Sequence, residues 1–356
     1  MRFQGRKLSV QVFGQSHGEA VGAVIDGLPA GIRVDQEKVS AFLRRRAPGQ
    51  GAHTTARREP DTPEWISGIV HGITCGVPVT VLIRNRDTHS GDYAALRDVP
   101  RPSHADWPAF VKYGSAHDVR GGGAFSARLT APLCAAGAIA LQLLSERNIL
   151  VGAHIAEIAG IPDTAFNPVD LRPANLLSPG GKAFPVLSDE AGARMLSVIE
   201  EARMQADSVG GLVECAALGL PVGVGGPLFE GLESALASAL FAIPAVRGVS
   251  FGKGFEAALM RGSSHNDPII LSGGEIRTVT NNAGGIQGGM TNGMPLLVTI
   301  AFKPTPSIGQ PQRSVSLSRM EETKLVISGR HDPCVVPRAV PVVEAMVALV
   351  LLDQLL

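Results

Sequence analysis

The apolar stretches of this 356-residue chain are short, and between them lie long polar islands rich in glycine, histidine and arginine. That alternation limits the fold more than any other feature. Short apolar runs can supply strands and a few buried helices, whereas loops this long inside a folded unit are usually functional. The 42 glycines and 25 prolines supply turns and close backbone approaches. No low-complexity linker or fixed-period repeat divides the sequence, so one α+β domain over residues 1–356 is expected. Basic and acidic residues balance at 32 each. No whole-molecule field therefore argues for nucleic acid or an anionic membrane, and an anion site must come from local clustering.

Cys75, Cys134, Cys215 and Cys334 are widely spaced and form no CxxC pair, which argues against a disulfide framework or a thiolate metal site. The nine histidines never occur as HxH or HExxH, so no metal is expected. Met1 to Val10 lacks the apolar run of a signal peptide. The apolar stretch Ala339 to Leu356 is interrupted by Pro341, Glu344 and Asp353 and is too short to span a bilayer comfortably. It reads as a buried or interface helix, and the cytoplasm is the expected location.

Helical spacing and caps predict helices at Asp35–Arg46, Thr130–Asn148, Asp189–Gln205, Leu228–Phe241 and Pro341–Leu356. β-branched runs with glycine or proline boundaries predict strands at Leu8–Phe13, Val77–Ile83, Gly211–Leu218, Val246–Phe251, Ile269–Leu271 and Pro295–Phe302.

The islands carry the chemistry. Gly14-Gln15-Ser16-His17-Gly18-Glu19 reads as a helix capping box, or as a proton-donating histidine between glycines that admit a substrate. Arg44-Arg45-Arg46, Pro48-Gly49 and Thr54 to Asp61 with Arg57-Arg58 read as a solvated charge run, or as guanidinium forks around a small polyanion. Arg101-Pro-Ser-His104-Ala-Asp106 is followed by Arg120-Gly-Gly-Gly and Ser126-Ala-Arg128 just before a long helix. Those glycines form either a structural turn or an anion site at a helix N-terminus. Neither a Walker loop nor a GxGxxG turn is present, and no Gly-x-Ser-x-Gly elbow supports a serine triad. Thr280 to Gly289, Lys303-Pro-Thr-Pro-Ser307 and Gly329-Arg330-His331-Asp332-Pro333 complete the set. Residue chemistry alone reaches an anion-binding enzyme with several acid–base groups.

Taken in order, these segments resemble the chorismate synthase family along nearly the whole chain. The resemblance implies a β-α-β sandwich with helices layered between antiparallel sheets, assembled as a homotetramer. It implies loss of phosphate from 5-enolpyruvylshikimate 3-phosphate to give chorismate. Reduced flavin mononucleotide (FMN) would be required although no net redox change occurs. The departing hydrogen is not acidic and stands 1,4-anti to the phosphate, so a reduced flavin lends electron density as phosphate leaves and recovers it as the hydrogen departs to flavin N5. An external reductant would supply the flavin's electrons. A bifunctional member that reduces its own flavin with NADPH, a non-catalytic phosphate or flavin binder, and a flavin oxidoreductase are the rival readings. No Rossmann fingerprint supports the oxidoreductase.

Carried over residue by residue, the resemblance makes His17 the group that protonates or steadies the leaving phosphate. His104 would stabilise the anionic reduced flavin at its pyrimidine edge and protonate it as needed. Ser16 and Ser126 orient these groups, with Ser126 and Asp332 in a proton relay. Arg45, Arg46, Arg57, Arg58, Arg128 and Arg330 would bind the substrate, and Ser126, Arg128, Asn282, Ala283, Lys303, Ser307 and Arg330 the flavin. Three positions depart from the family pattern: Ala52 and Ala124 stand where many relatives carry arginine, and Leu129 where they often carry glutamate. The first two thin the expected arginine cradle.

Overall fold

The computed structural model describes residues 1–49, 59–87, 90–327 and 332–356. Buried Val10 and Val12 alternate with exposed Gln11, which turns one face of the strand Ser9–Gly14 to the core. This strand belongs to a five-stranded antiparallel sheet ordered Arg2–Gln4, Ser9–Gly14, Ala20–Asp26, Val79–Arg84 and Pro63–Ser67. Val10 stands opposite Ile25, and Ile25 opposite Val79, so β-branched side chains stack across the sheet. A second five-stranded antiparallel sheet runs Val246–Phe251, Leu296–Phe302, Gly211–Leu218, Leu150–Ile158 and Ile161–Pro162.

Helices fill the space between the sheets. Thr130–Glu146 packs on strands of the first sheet and on Val336–Leu355, which in turn packs on Leu150–Ile158 and Gly211–Leu218 of the second. The two helices cross closely. A Cβ at Gly137 would stand 2.3 Å from the Cβ of Ala345, so only glycine admits this approach. A continuous apolar core runs through both sheets and the helices between them. This is the α+β, β-α-β sandwich that the resemblance implies. The segment Ala127–Glu146 is apolar and long enough to cross a membrane, but 78% of its apolar window is buried inside the fold.

The structure redraws several expected elements. The capping box at Ser16 and Glu19 does not form, because residues 15–19 turn the chain between the paired strands Ser9–Gly14 and Ala20–Asp26. The last helix starts at Val336, not Pro341: Pro337 already occupies its first turn, and Pro341 lies inside. Gly231 splits the expected Leu228–Phe241 helix into a short 3₁₀ turn and Leu232–Phe241. The triple glycine lies in a kinked 3₁₀ segment before Ser126, not directly at the start of the long helix.

Candidate active site

The arginines at the end of the helix Gln36–Arg46 diverge. Its start is fixed by Asp35, whose Oδ1 accepts from the backbone N–H of Glu37 and Lys38. At the other end of the helix, Arg45 and Arg46 point to different partners. Arg45 donates two bonds to buried Glu344, at 2.6 and 2.8 Å, and does not line the cleft described next. Arg46 is 2% exposed and bonds Asp61 at 2.5 Å, Thr130 Oγ1 at 3.1 Å and the Ala127 carbonyl.

A cleft of about 1070 Å³ opens beside Arg46, and sequence-distant islands meet on it. Ser16 reaches it from the turn between Ser9–Gly14 and Ala20–Asp26, His104 from the segment before the helix Asp106–Tyr113, and Ser126 and Arg128 from the residues just before the long helix. Lys303 and Ser307 follow the strand Leu296–Phe302, and Asp332 precedes the last helix. His17 is half-buried behind this wall. Its ring meets Tyr93 edge-on at 5.1 Å and lies against Gly121, and both Tyr93 and Gly121 line the cleft.

Asp61 joins Arg46 to Arg128, accepting from both guanidinium groups. Burial alone would raise the Asp61 carboxyl, but the two cations hold it below its ordinary value. Arg128 also donates to Asn85 Oδ1 at 2.8 Å and to the Arg84 carbonyl. Both arginines thus reach the cleft with much of their donor capacity already engaged. Asp332 accepts from Arg338 at 2.5 Å, and Arg338 donates its Nε–H to the carbonyl of Arg46.

His104 is held by Asp106, whose Oδ1 lies 2.6 Å from the ring Nδ1, and Asp106 is held by Arg101. Burial pushes the His104 imidazole below its ordinary value; Asp106 opposes that shift and Arg101 reinforces it. That shift favours the neutral ring. Cations gather beside this histidine. Lys303 donates to the Ser103 carbonyl, and its ammonium is lowered by burial and by neighbouring Arg247. Strand pairing of Val246 with Phe302 brings Arg247 beside Lys303, and no carboxylate among the described residues bridges to either. Two adjacent uncompensated cations favour an anion such as a phosphate between them.

Other site residues lie elsewhere. Asn282 and Ala283 are off this cleft, where their backbone N–H groups cap Asp267 at 2.7 and 3.0 Å. Arg57, Arg58 and Arg330 are outside the described residues, as is Ala52. Ala124 is exposed on the cleft, whereas Leu129 is buried in the main core. Sequence reading gave no role to Asp61, Arg101, Asp106, Arg247 or Arg338. Arg101, Asp106 and Asp61 stood inside quoted islands, but nothing in the sequence shows which arginine meets which carboxylate.

A protein-family model described as chorismate synthase matches residues 8–356. A chorismate synthase of Thermococcus gammatolerans is 51% identical over 354 residues, 99% of this chain and 97% of that relative. Those of Korarchaeum cryptofilum and Dehalococcoides mccartyi are 45% and 47% identical, covering 99% and 98% of this chain and 96% and 95% of the relatives. A crystal structure of a chorismate synthase superposes with a TM-score of 0.77 at 31% identity, covering 99% of this chain and 92% of that one.

Proposed function

This chain belongs to the chorismate synthase family, and we propose that it releases phosphate from 5-enolpyruvylshikimate 3-phosphate by an anti-1,4-elimination that uses reduced FMN without net redox change. Membership makes it an enzyme of the last common step of the shikimate pathway. The observation that carries the finer reading is the convergence of Ser16, His104, Ser126, Arg128, Lys303, Ser307 and Asp332 on one cleft.

The residues present fit a flavin. At about 1070 Å³ the cleft exceeds the ~300–1,000 Å³ usual for one small ligand, leaving room for a flavin with a substrate beside it. The Lys303 and Arg247 pair suits the flavin phosphate, in a cleft that Ser307, Ser126 and Arg128 also line. A role for Asn282 and Ala283 requires a second copy of the chain to bring them to the cleft. Exposed Ile269, Leu271 and Ile276 on one hairpin supply apolar surface for the homotetramer we propose.

Bound reduced flavin would supply the electron density that lets the phosphate leave. The chain supplies position and protons. His17, steadied against Tyr93 and Gly121, would donate to the departing phosphate. His104 would hold or pass a proton at Nε2, because its Nδ1 faces Asp106. Asp332, fixed by Arg338, would receive or relay a proton together with Ser126, which lines the same cleft. Arg46 and Arg128, already aligned by Asp61, would offer their remaining donors to substrate oxygens, joined by Arg57, Arg58 and Arg330. Arg45 would contribute by bracing this helix end through Glu344.

We place the enzyme in the cytoplasm. The cysteines Cys75, Cys134, Cys215 and Cys334 are free thiols, as suits a reducing compartment. The reading is tested by assaying chorismate and phosphate release with dithionite-reduced FMN, and then with NADPH and oxidised FMN. Product is expected in the first assay alone, because an external reductant is required; its absence there removes the proposal. His17→Ala and His104→Ala should each lose roughly 100-fold in turnover with saturating reduced FMN.

A further inference from the structure

The sequence Arg101-Pro102-Ser103-His104-Ala105-Asp106 folds back on itself, and Asp106 opens the helix Asp106–Tyr113. The Asp106 carboxylate becomes a hub. Its Oδ2 accepts from the Arg101 backbone N–H at 3.0 Å and from Arg101 Nε at 2.7 Å. Its Oδ1 accepts from Arg101 Nη2 at 2.8 Å and lies 2.6 Å from His104 Nδ1. Arg101 and Asp106 are 4% and 3% exposed, so water competes little for these bonds. Asp106 does not line the cleft, whereas His104 does.

This geometry fixes the tautomer. An ionised carboxylate only accepts, so the ring nitrogen at 2.6 Å carries a hydrogen. Arg101 Nη2 also stands 3.0 Å from Nδ1 and gives one of its two hydrogens to Asp106 Oδ1, but a bare Nδ1 would set its lone pair against that carboxylate oxygen at 2.6 Å, so the Nδ1–H form is favoured. Nε2 is left as the nitrogen that gains or loses a proton, beside Gly122, where an added Cβ would lie 3.3 Å from it.

We propose that Asp106, clamped by Arg101, is the positioning residue that holds His104 as its Nδ1–H tautomer and reserves Nε2 for proton exchange in the cleft. The catalytic part of this inference rests on the reading that His104 handles a proton during turnover. Arg101 Nη1 also donates to Ser307 Oγ at 3.2 Å, so the same clamp ties the histidine to the strip carrying Lys303.

The test is ¹⁵N NMR of the full chain labelled at histidine, with His104 assigned by loss of its signal in His104→Gln. The wild type should show protonated Nδ1 and unprotonated Nε2 once the ring is neutral. Asp106→Asn offers an amide donor to Nδ1 and should shift the ring to Nε2–H, while Asp106→Glu should restore part of the original signature. In the dithionite-reduced assay Asp106→Asn should lower kcat about 10- to 100-fold with a smaller change in KM. The kcat limb that follows His104 should move to lower pH, because the carboxylate that favours the charged ring is gone. A wild-type Nε2–H ring overturns the proposal without any variant. So does a folded Asp106→Asn protein, judged by its melting curve, that keeps both the wild-type tautomer and pH profile. A tautomer switch with unchanged turnover supports the positioning and removes instead the role assigned to His104.

Discussion

Gly121 lies so close to His17 that a Cβ added to it would stand 2.3 Å from the ring Nδ1 and Cε1, and 2.5 Å from Ser16 Oγ. Its φ of +58° is also one that a side chain adopts with strain. Gly121→Ala must therefore push the histidine and serine off their positions. Turnover with reduced FMN should fall roughly 100-fold, matching His17→Ala, while strain of about 1–2 kcal/mol lowers the melting temperature only modestly. Full activity in Gly121→Ala would show that the placement of His17 is not critical.

The side chains of Asp61, Arg46 and Arg128 are 0%, 2% and 3% exposed. Asp61→Asn leaves two buried guanidinium groups without the charge they share, which should cost about 3–5 kcal/mol. Urea unfolding measures this, and a loss below about 1 kcal/mol would put the pair in the class of exposed bridges. The pH dependence has a definite sign. The Asp61 carboxyl is held below its ordinary 3.8, so its contribution is present above that value and lost as pH falls through the lower folded value.

Much of this fold can be read along the chain where local chemistry decides it. Asp35 and Ser188 cap helices within a residue of the expected starts, and Gly211–Leu218 and Val246–Phe251 are strands as predicted. Ala20–Asp26 and Leu150–Ile158 escape notice because they are covered on both faces, so burial leaves no two-residue alternation to detect. At the site, His104, Lys303 and Asp332 are legible as chemistry-bearing types in glycine- or proline-rich loops. The division of arginines between structure and ligand is not. Arg45 and Arg46 are neighbours in sequence, yet Glu344 and Asp61, distant along the chain, determine where each one points. Arg247 gains its place beside Lys303 only through strand pairing.

Lys303 and Arg247 should dominate binding of the flavin phosphate. Removing a hydrogen bond to a charged group costs about 1.5–3 kcal/mol, so Lys303→Ala and Arg247→Ala should each weaken FMN binding about 10- to 150-fold. Fluorescence titration against FMN, repeated with riboflavin, separates phosphate contacts from ring contacts. Riboflavin affinity should change little in either variant. Equal losses for both ligands would move these cations to the ring and away from the phosphate.

His154 is a buried imidazole outside the cleft, 3.0 Å from Asp163 and 2.9 Å from Glu214, with the Phe166 ring packed edge-on at 4.5 Å. Burial would lower it, but hydrogen bonds to the two carboxylates raise it above its ordinary 6.5. A raised group stabilises the fold fully below its unfolded value and loses that contribution as pH climbs through the folded one. Asp163 acts in the opposite direction. Burial would raise it, but His154 and the N–H groups of Leu187 and Ser188 hold it below 3.8, so its share is lost only in stronger acid. The stability advantage of wild type over His154→Gln should therefore be largest between about pH 4 and 6.5 and shrink above it. Urea midpoints measured across that range test the sign, and an advantage that grows with rising pH would mean the ring is buried neutral. Turnover of His154→Gln at 25 °C should stay close to wild type, because His154 braces the second sheet and does not reach the cleft.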